Sequence, residues 1–216
     1  MKDYDRIRTF INSYAYSDNP MIDKLYAEAL KNDIPVIRED TREFLRLIIR
    51  MQKIEKVLEI GTATGFSSIF MAECIGDKAD ILTIEIGEED YKKACDNIKT
   101  AGFEGRIKAV NEDAISYLAE HMGDASDYDL IFIDAAKAQY RKYLELCMPH
   151  THKGSVIICD NIFLDGKVFE SHFLVEKRDR TVHDRMRSFL EEIKRDEKLD
   201  TAILAIGDGV TVSYVL

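Results

Sequence analysis

The chain has 216 residues, 40 acidic side chains against 30 Lys and Arg, a formal charge of −10 and 46% hydrophobic residues. That apolar content, with only 11 Gly and 3 Pro, excludes a disordered or fibrous chain and suffices for one full core. The acidic balance argues against a general nucleic-acid coat but leaves room for a local basic patch.

The opening MKDYDRIRTF carries no apolar run behind its charges, so no signal peptide is expected. No apolar stretch of about 18 residues is present to span a bilayer, and a cytoplasmic protein is the expectation. Cys74, Cys95, Cys147 and Cys159 match neither a C-x-x-C clamp nor a zinc ribbon and read as reduced core thiols. Residues 2–51 predict helices: Ile7, Phe10, Ile11 and Tyr14 fall at helical spacing, as do Phe44, Leu45, Ile48 and Ile49, with Asp40 or Thr41 as a cap. From residue 56 the texture changes to short runs rich in Ile and Val: KVLEI (56–60), ILTIEI (81–86), IKAV (107–110), DLIFID (129–134) and SVIICD (155–160). Continuous apolar runs of this length fit parallel strands covered on both faces. Amphipathic stretches lie between them, among them SSIFMAECI and EDYKKACDNIKTAG, the latter closing on Gly102 as a C-cap. A helix over 181–195 with Thr181 as its cap precedes DTAILAI (200–206) and VTVSYVL (210–216). Gly207-Asp208-Gly209 joins these two runs as a hairpin. The pattern predicts one α/β domain over 1–216: N-terminal helices over 1–51, then over 56–216 an open, doubly wound, Rossmann-like sheet ending in an antiparallel pair.

In such a sheet, ligands bind beyond the carboxyl ends of the strands. There the chain reads Glu59-Ile60-Gly61-Thr62-Ala63-Thr64-Gly65-Phe66-Ser67, a G-x-x-x-G spacing. Neither the G-x-G-x-x-G of dinucleotide folds nor the lysine of a P-loop is present, which disfavours a pyrophosphate ligand. Glu59 stands inside an apolar strand, where an unpartnered carboxylate is costly and a cationic ligand group would serve it. Glu85 ends the second strand, where an acid can accept ribose hydroxyls, and Glu112-Asp113-Ala114 follows the third. Each acid alone reads equally well as a solvated strand end; three at successive strand ends favour a site.

E-I-G-x-x-x-G-F-S, the Glu of the second strand, F-I-D-A-A-K and C-D-N resemble the cation-dependent O-methyltransferases related to catechol and caffeoyl-CoA methyltransferases. The resemblance runs from Ile34-Pro35-Val36-Ile37 to Gly207-Asp208-Gly209. It implies a class I S-adenosylmethionine (SAM) methyltransferase fold, a seven-stranded, mostly parallel sheet. Ile37, Glu59, Gly61, Ser67, Glu85, Asp113, Ala114 and Asp134 would then line the cofactor. Glu112 departs from the family, which commonly has Gly there. Asp134, Asp160 and Asn161 offer hard oxygen donors at neighbouring strand ends, which suits Mg²⁺ or Mn²⁺ and not zinc. Asp-Asn after a strand is also ordinary turn chemistry. Lys137 corresponds to the general base of the catechol enzymes; the plainer reading is an exposed lysine at a helix start. On this pattern metal and Lys137 favour an oxyanion that attacks the sulfonium methyl.

Residues 174–187 hold Lys177, Arg178, Arg180, Arg185 and Arg187, either a solvated helix start or a grip on phosphates. F-I-D-A-A-K-A-Q-Y with R-D-R-T-V-H-D-R-M-R resembles the bacterial tRNA 5-hydroxyuridine methyltransferases. That branch implies a tRNA anticodon loop as substrate and Lys177, Arg178, Arg180 and Arg185 as RNA contacts. The alternatives are a small-molecule enzyme acting on catechols or hydroxycinnamoyl thioesters, a cofactor-binding module without catalysis, and a dehydrogenase disfavoured by the glycine spacing. The five histidines show no shared ligand spacing beyond His150-Thr151-His152, which reads as a surface turn. Tyr14, Tyr16, Met21, Leu25 and Tyr26 read as exposed apolar positions that a homodimer could bury.

Overall fold

The computed structural model describes residues 2–14, 19–32, 34–122 and 127–216, and only the backbone of 2–5 and 8. Three helices lead, α1 (Lys2–Asn12), α2 (Pro20–Lys31) and α3 (Glu39–Gln52). Strands and helices then alternate: β1 (Lys56–Ile60), α4 (Phe66–Ile75), β2 (Asp80–Glu85), α5 (Glu88–Thr100), β3 (Ile107–Asn111), α6 (Ala114–Glu120), β4 (Tyr128–Ile133) and α7 (Tyr140–Cys147). The chain continues through β5 (Thr151–Cys159), α8 (Arg180–Arg195), β6 (Leu199–Leu204) and β7 (Val210–Val215). The seven strands form one sheet in the order β3-β2-β1-β4-β5-β7-β6. β7 runs antiparallel to both β5 and β6, and the other pairings are parallel. This is the Rossmann-like class I methyltransferase fold, with the C-terminal antiparallel hairpin and extra N-terminal helices.

Side chains alternate across each strand, which divides the core in two. Leu58, Ile60, Ile84, Ile131, Ile133 and Ile157 pack on one face with Tyr140, Met186 and Phe189 from α7 and α8. Val57, Ile81, Leu130, Phe132 and Ile158 pack on the other with Leu45, Ile49, Ile69 and Phe70 from α3 and α4. With both faces covered, strands of continuous apolar character are what burial requires. All four cysteines are free thiols, Cys147 and Cys159 fully buried.

Several local expectations need correction. α3 begins at Glu39 behind Arg38, and no side chain caps it. Asp40 instead accepts the Gly207 N–H through Oδ2 at 2.9 Å, 167 residues away, while Arg38 donates to the Gly207 carbonyl at 3.4 Å. Thr181 lies inside α8 and Asp179 holds the cap position, its carboxylate 2.8 Å from Lys167 Nζ. α5 ends at Thr100 with Ala101 in the C-cap position, and Gly102 follows with φ +77°. The His150–His152 stretch is no surface turn: His150 is buried, and His152 belongs to β5 with Nε2 3.1 Å from Asp129 Oδ1. Met21, Leu25 and Tyr26 pack partly buried against the core, whereas Tyr14 is 72% exposed. Tyr16 lies outside the described residues. Among the described residues no helix is long and apolar enough to cross a membrane.

Candidate active site

Strand register aligns the site. Ile60 pairs with Ile84 on β2 and Ile133 on β4, and Ile133 pairs with Cys159 on β5. The next residues along each chain are Gly61, Glu85, Asp134 and Asp160, so four strands deliver them to one edge. Gly61 has φ +98°, and a Cβ there would lie 2.1 Å from the Asp134 carbonyl oxygen, so only glycine lets β1 and β4 close this edge.

A cavity of about 400 Å³ at that edge is walled by Gly61, Ala63, Glu85, Asp113, Ala114, Asp134 and Tyr143, among others. Glu85 bridges two loops, accepting the Ala63 N–H through Oε2 and the Gly87 N–H through Oε1, each at 2.8 Å. Asp113 caps α6 by accepting the Ser116 N–H at 3.1 Å. A second cavity of about 250 Å³ shares Gly61, Ala63 and Asp134 and adds Ile37, Ser67, Lys137 and Asn161. A third, of about 470 Å³, opens beyond Lys137 and is lined by Arg141, Lys142, Asp184 and Arg185 as well. Asp134 thus lines both inner cavities, and Lys137 lines the second and the outer one at α8.

Glu59 departs from expectation. It is 0% exposed and lies beneath the crevice wall, because its position on β1 faces the α4 side of the sheet. Its Oε2 accepts the hydroxyls of Ser68 and Thr83, the latter at 2.6 Å, and Thr83 Oγ1 lies 2.6 Å from Thr62 Oγ1. Oε1 has no hydrogen-bond partner among the described residues. Burial pushes this carboxyl up to about 7, against the opposing hydroxyls of Ser67, Ser68 and Thr83. The hydroxyls of Ser68 and Thr83 were missed in the sequence, although a threonine inside I-L-T-I-E and a second serine opening an apolar helix are polar residues lacking another purpose there.

At the other end, Lys137 Nζ lies 2.5 Å from Asp134 Oδ1 and 2.8 Å from Tyr140 Oη. Tyr140 in turn donates to the Asp160 carbonyl at 2.7 Å. Lys137, Tyr140 and Asp134 fall together because a short 3₁₀ turn, Lys137–Gln139, leads from β4 into α7. Asn161 adopts φ +58°, which directs Nδ2 to 3.0 Å from Asp134 Oδ1, and its N–H donates to Asp160 Oδ1 at 2.7 Å. Asp160 is 2% exposed, behind Asn161; burial and the nearby Asp134 charge push its carboxyl up to about 7. Two carboxylates and an amide therefore converge here, with one lysine to offset them. Tyr140, three residues beyond Lys137, was not singled out from the sequence; burial raises its phenol well above the ordinary value.

Much of the basic stretch bonds within the fold. Arg180 donates to the carbonyls of Val175 at 3.1 Å and Phe173 at 3.3 Å, and Arg185 to that of Ala138 at 3.4 Å. Arg187 donates to the Val168 carbonyl at 3.4 Å, and Arg178 Nε pairs with Glu176 at 3.0 Å. Lys177 is exposed on the surface beside them. Arg180 and Arg187 thereby tie the loop before α8 to that helix, and Arg185 ties α8 to the turn before α7.

The O-methyltransferase family model matches residues 12–215. The caffeoyl-CoA O-methyltransferase of Medicago sativa is 28% identical over 177 residues, 80% of this chain and 72% of that protein. The catechol O-methyltransferase of Niastella koreensis is 30% identical over 131 residues, 60% of this chain and 59% of the other. Among solved structures, a Staphylococcus aureus protein provisionally assigned as a caffeoyl-CoA O-methyltransferase superposes with a TM-score of 0.87 at 28% identity, covering 98% of both chains. These relatives overturn the tRNA reading: they are named for caffeoyl-CoA and catechol, not for 5-hydroxyuridine or tRNA modification, and the arginines assigned to RNA are engaged within the fold. With the family model spanning nearly the whole chain and the fold in agreement, this chain belongs to the O-methyltransferase family and is a SAM-dependent O-methyltransferase.

Proposed function

We propose that the protein methylates a hydroxyl of a small aromatic acceptor bearing two adjacent oxygens, a catechol or a hydroxycinnamoyl thioester. The observation that carries this reading is the meeting of Lys137 Nζ with Asp134 Oδ1 at 2.5 Å, at the junction of the two inner cavities and the outer one. In this reading Glu85 and Asp113 with Ala114 receive the nucleoside part of the cofactor, and Gly61, Ile37 and Ser67 its amino-acid part. Glu59 acts from beneath, holding the Ser68 and Thr62 side of the wall. SAM, when bound, supplies an electrophilic methyl on a sulfonium. With Nζ as a neutral amine, its two hydrogens donated to Asp134 and Tyr140, its lone pair would take the proton of the acceptor hydroxyl, leaving the oxygen to receive the methyl.

Asp134, Asp160 and Asn161 fit a hard divalent ion, Mg²⁺ or Mn²⁺: all three offer oxygen at adjoining strand ends, and burial together with the Asp134 charge raises Asp160. Such an ion polarises acceptor oxygens as a Lewis acid. The relatives named for catechol and caffeoyl-CoA support this acceptor class over others. The test is methyl transfer from labelled SAM to a catechol and to a hydroxycinnamoyl thioester, with Mg²⁺ and with a chelator. Transfer that requires the ion supports the assignment; no transfer to either acceptor overturns it.

A further inference from the structure

A second cluster of donor atoms lies away from these carboxylates. His172, His183 and Asp184 each place one ligand atom, a ring nitrogen or a carboxylate oxygen, within 4.8 Å of the others. His183 is 1% exposed, and its Nε2 lies 3.1 Å from the Glu170 backbone carbonyl. A carbonyl oxygen only accepts, so Nε2 carries the ring proton, and in a neutral imidazole Nδ1 is then a bare lone pair. That lone pair faces Asp184 Oδ1 at 2.9 Å, itself an acceptor when ionised. Two lone pairs cannot bond each other; the arrangement demands a cation between them, a second proton on the ring or a metal. His172 Nδ1 at 2.8 Å from the same Oδ1 adds a third donor, which a metal uses and a proton on His183 does not require.

We propose that His172, His183 and Asp184 bind a zinc-class transition-metal ion, separate from the oxygen-donor site at Asp134. Two imidazole nitrogens and one carboxylate suit Zn²⁺ or Co²⁺ and suit Mg²⁺ poorly. The Nε2–H bond to the Glu170 carbonyl is the outer contact that fixes the tautomer of a metal-ligating histidine. Ligand atoms around zinc stand roughly 3.3 Å apart, so the present contacts need to open by about half an ångström. The side chains of His172 and Asp184 are half-exposed, which leaves room for that adjustment. The ion would tie the loop after Asn161 to the first turns of α8. Asp184 also lines the 470 Å³ cavity with Lys137, so this tie would stiffen the wall of the acceptor side.

The experiment uses the full chain, stripped with a chelator, held in excess Mg²⁺ and titrated with Co²⁺ and then Zn²⁺. Visible absorption reads the Co²⁺ ligand field, native mass spectrometry the stoichiometry, and ¹⁵N NMR the protonation of the His183 ring. One ion per chain is expected, with at least tenfold weaker binding in H172A and in D184N and full binding in D160N. His183 is buried and its replacement risks misfolding, which is why the two half-exposed ligands are varied. Binding unchanged in H172A and D184N, or lost only in D160N, overturns the site. So does a doubly protonated His183 ring at neutral pH that persists at saturating Zn²⁺.

Discussion

Lys137 is the residue on which turnover should depend most directly. If its Nζ takes the acceptor proton, Lys137→Ala lowers kcat by about 10²–10⁴-fold, the usual worth of a positioned base. SAM affinity measured by calorimetry should stay within a few-fold. Equal loss in cofactor affinity and kcat would instead make Lys137 a binding residue. Glu59 offers a test of stability. Its carboxyl titrates at 4.5 when unperturbed and about 7 in the fold, so the folded protein keeps the proton longer than the unfolded chain. Its contribution to stability is therefore full below about pH 4.5, falls as pH rises through about 7, and levels off above. Asp160 shares the window, so the wild-type slope belongs to both. Denaturant unfolding of Glu59→Gln between pH 4 and 8 should show a shallower fall and a gain above pH 7 of about 3 kcal/mol at most. Identical slopes in the two proteins would show that Glu59 is ionised without cost.

The strand ends carry the site, and the glycine that ends β1 makes that possible. Gly61→Ala adds a methyl group 2.1 Å from the Asp134 carbonyl at a φ of +98°, so β1 and β4 must part at their carboxyl ends. A loss of at least about 2 kcal/mol in stability is expected, with SAM binding lost before unfolding. Thermal melts and calorimetry would read the two effects. In the 162–179 segment, Arg180→Ala removes two donors to loop carbonyls, at about 1 kcal/mol each. Faster hydrogen exchange confined to that segment is the expected result. Unchanged exchange there would mean that the arginine bonds are redundant. The strands were legible because burial on two faces forces runs such as KVLEI and DLIFID, and the acids closing those runs marked the crevice. Caps and histidines were not. Asp40 is claimed by Gly207 and Thr181 lies inside its helix, both tertiary outcomes. His172 meets His183 only because the loop folds back on α8. The arginine-rich stretch misled for the same reason: composition shows a cluster of charge, and only the fold shows that backbone carbonyls engage Arg180, Arg185 and Arg187.

At the scale of the whole molecule, the charge of −10 bears on the choice between the two proposed acceptors. A thioester carrying phosphates approaches against a repulsive field, whereas a neutral catechol does not. Raising salt should then lower KM for the thioester and leave KM for the catechol nearly unchanged. A rise in the thioester KM with salt would point to local attraction by Arg141, Lys142 and Arg185 at the outer cavity. Binding and folding also meet at a distance. Ile37 lines the crevice, and the chain just beyond it is latched by Arg38 and Asp40 to Gly207, in the turn between β6 and β7. A contact spanning 167 residues closes late, because its loop entropy must be met before it stabilises anything. In refolding, the sheet should therefore gain its circular dichroism before the protein regains SAM binding. The interval between the two signals would time the docking of the hairpin turn, making the cofactor a reporter of the last step of assembly.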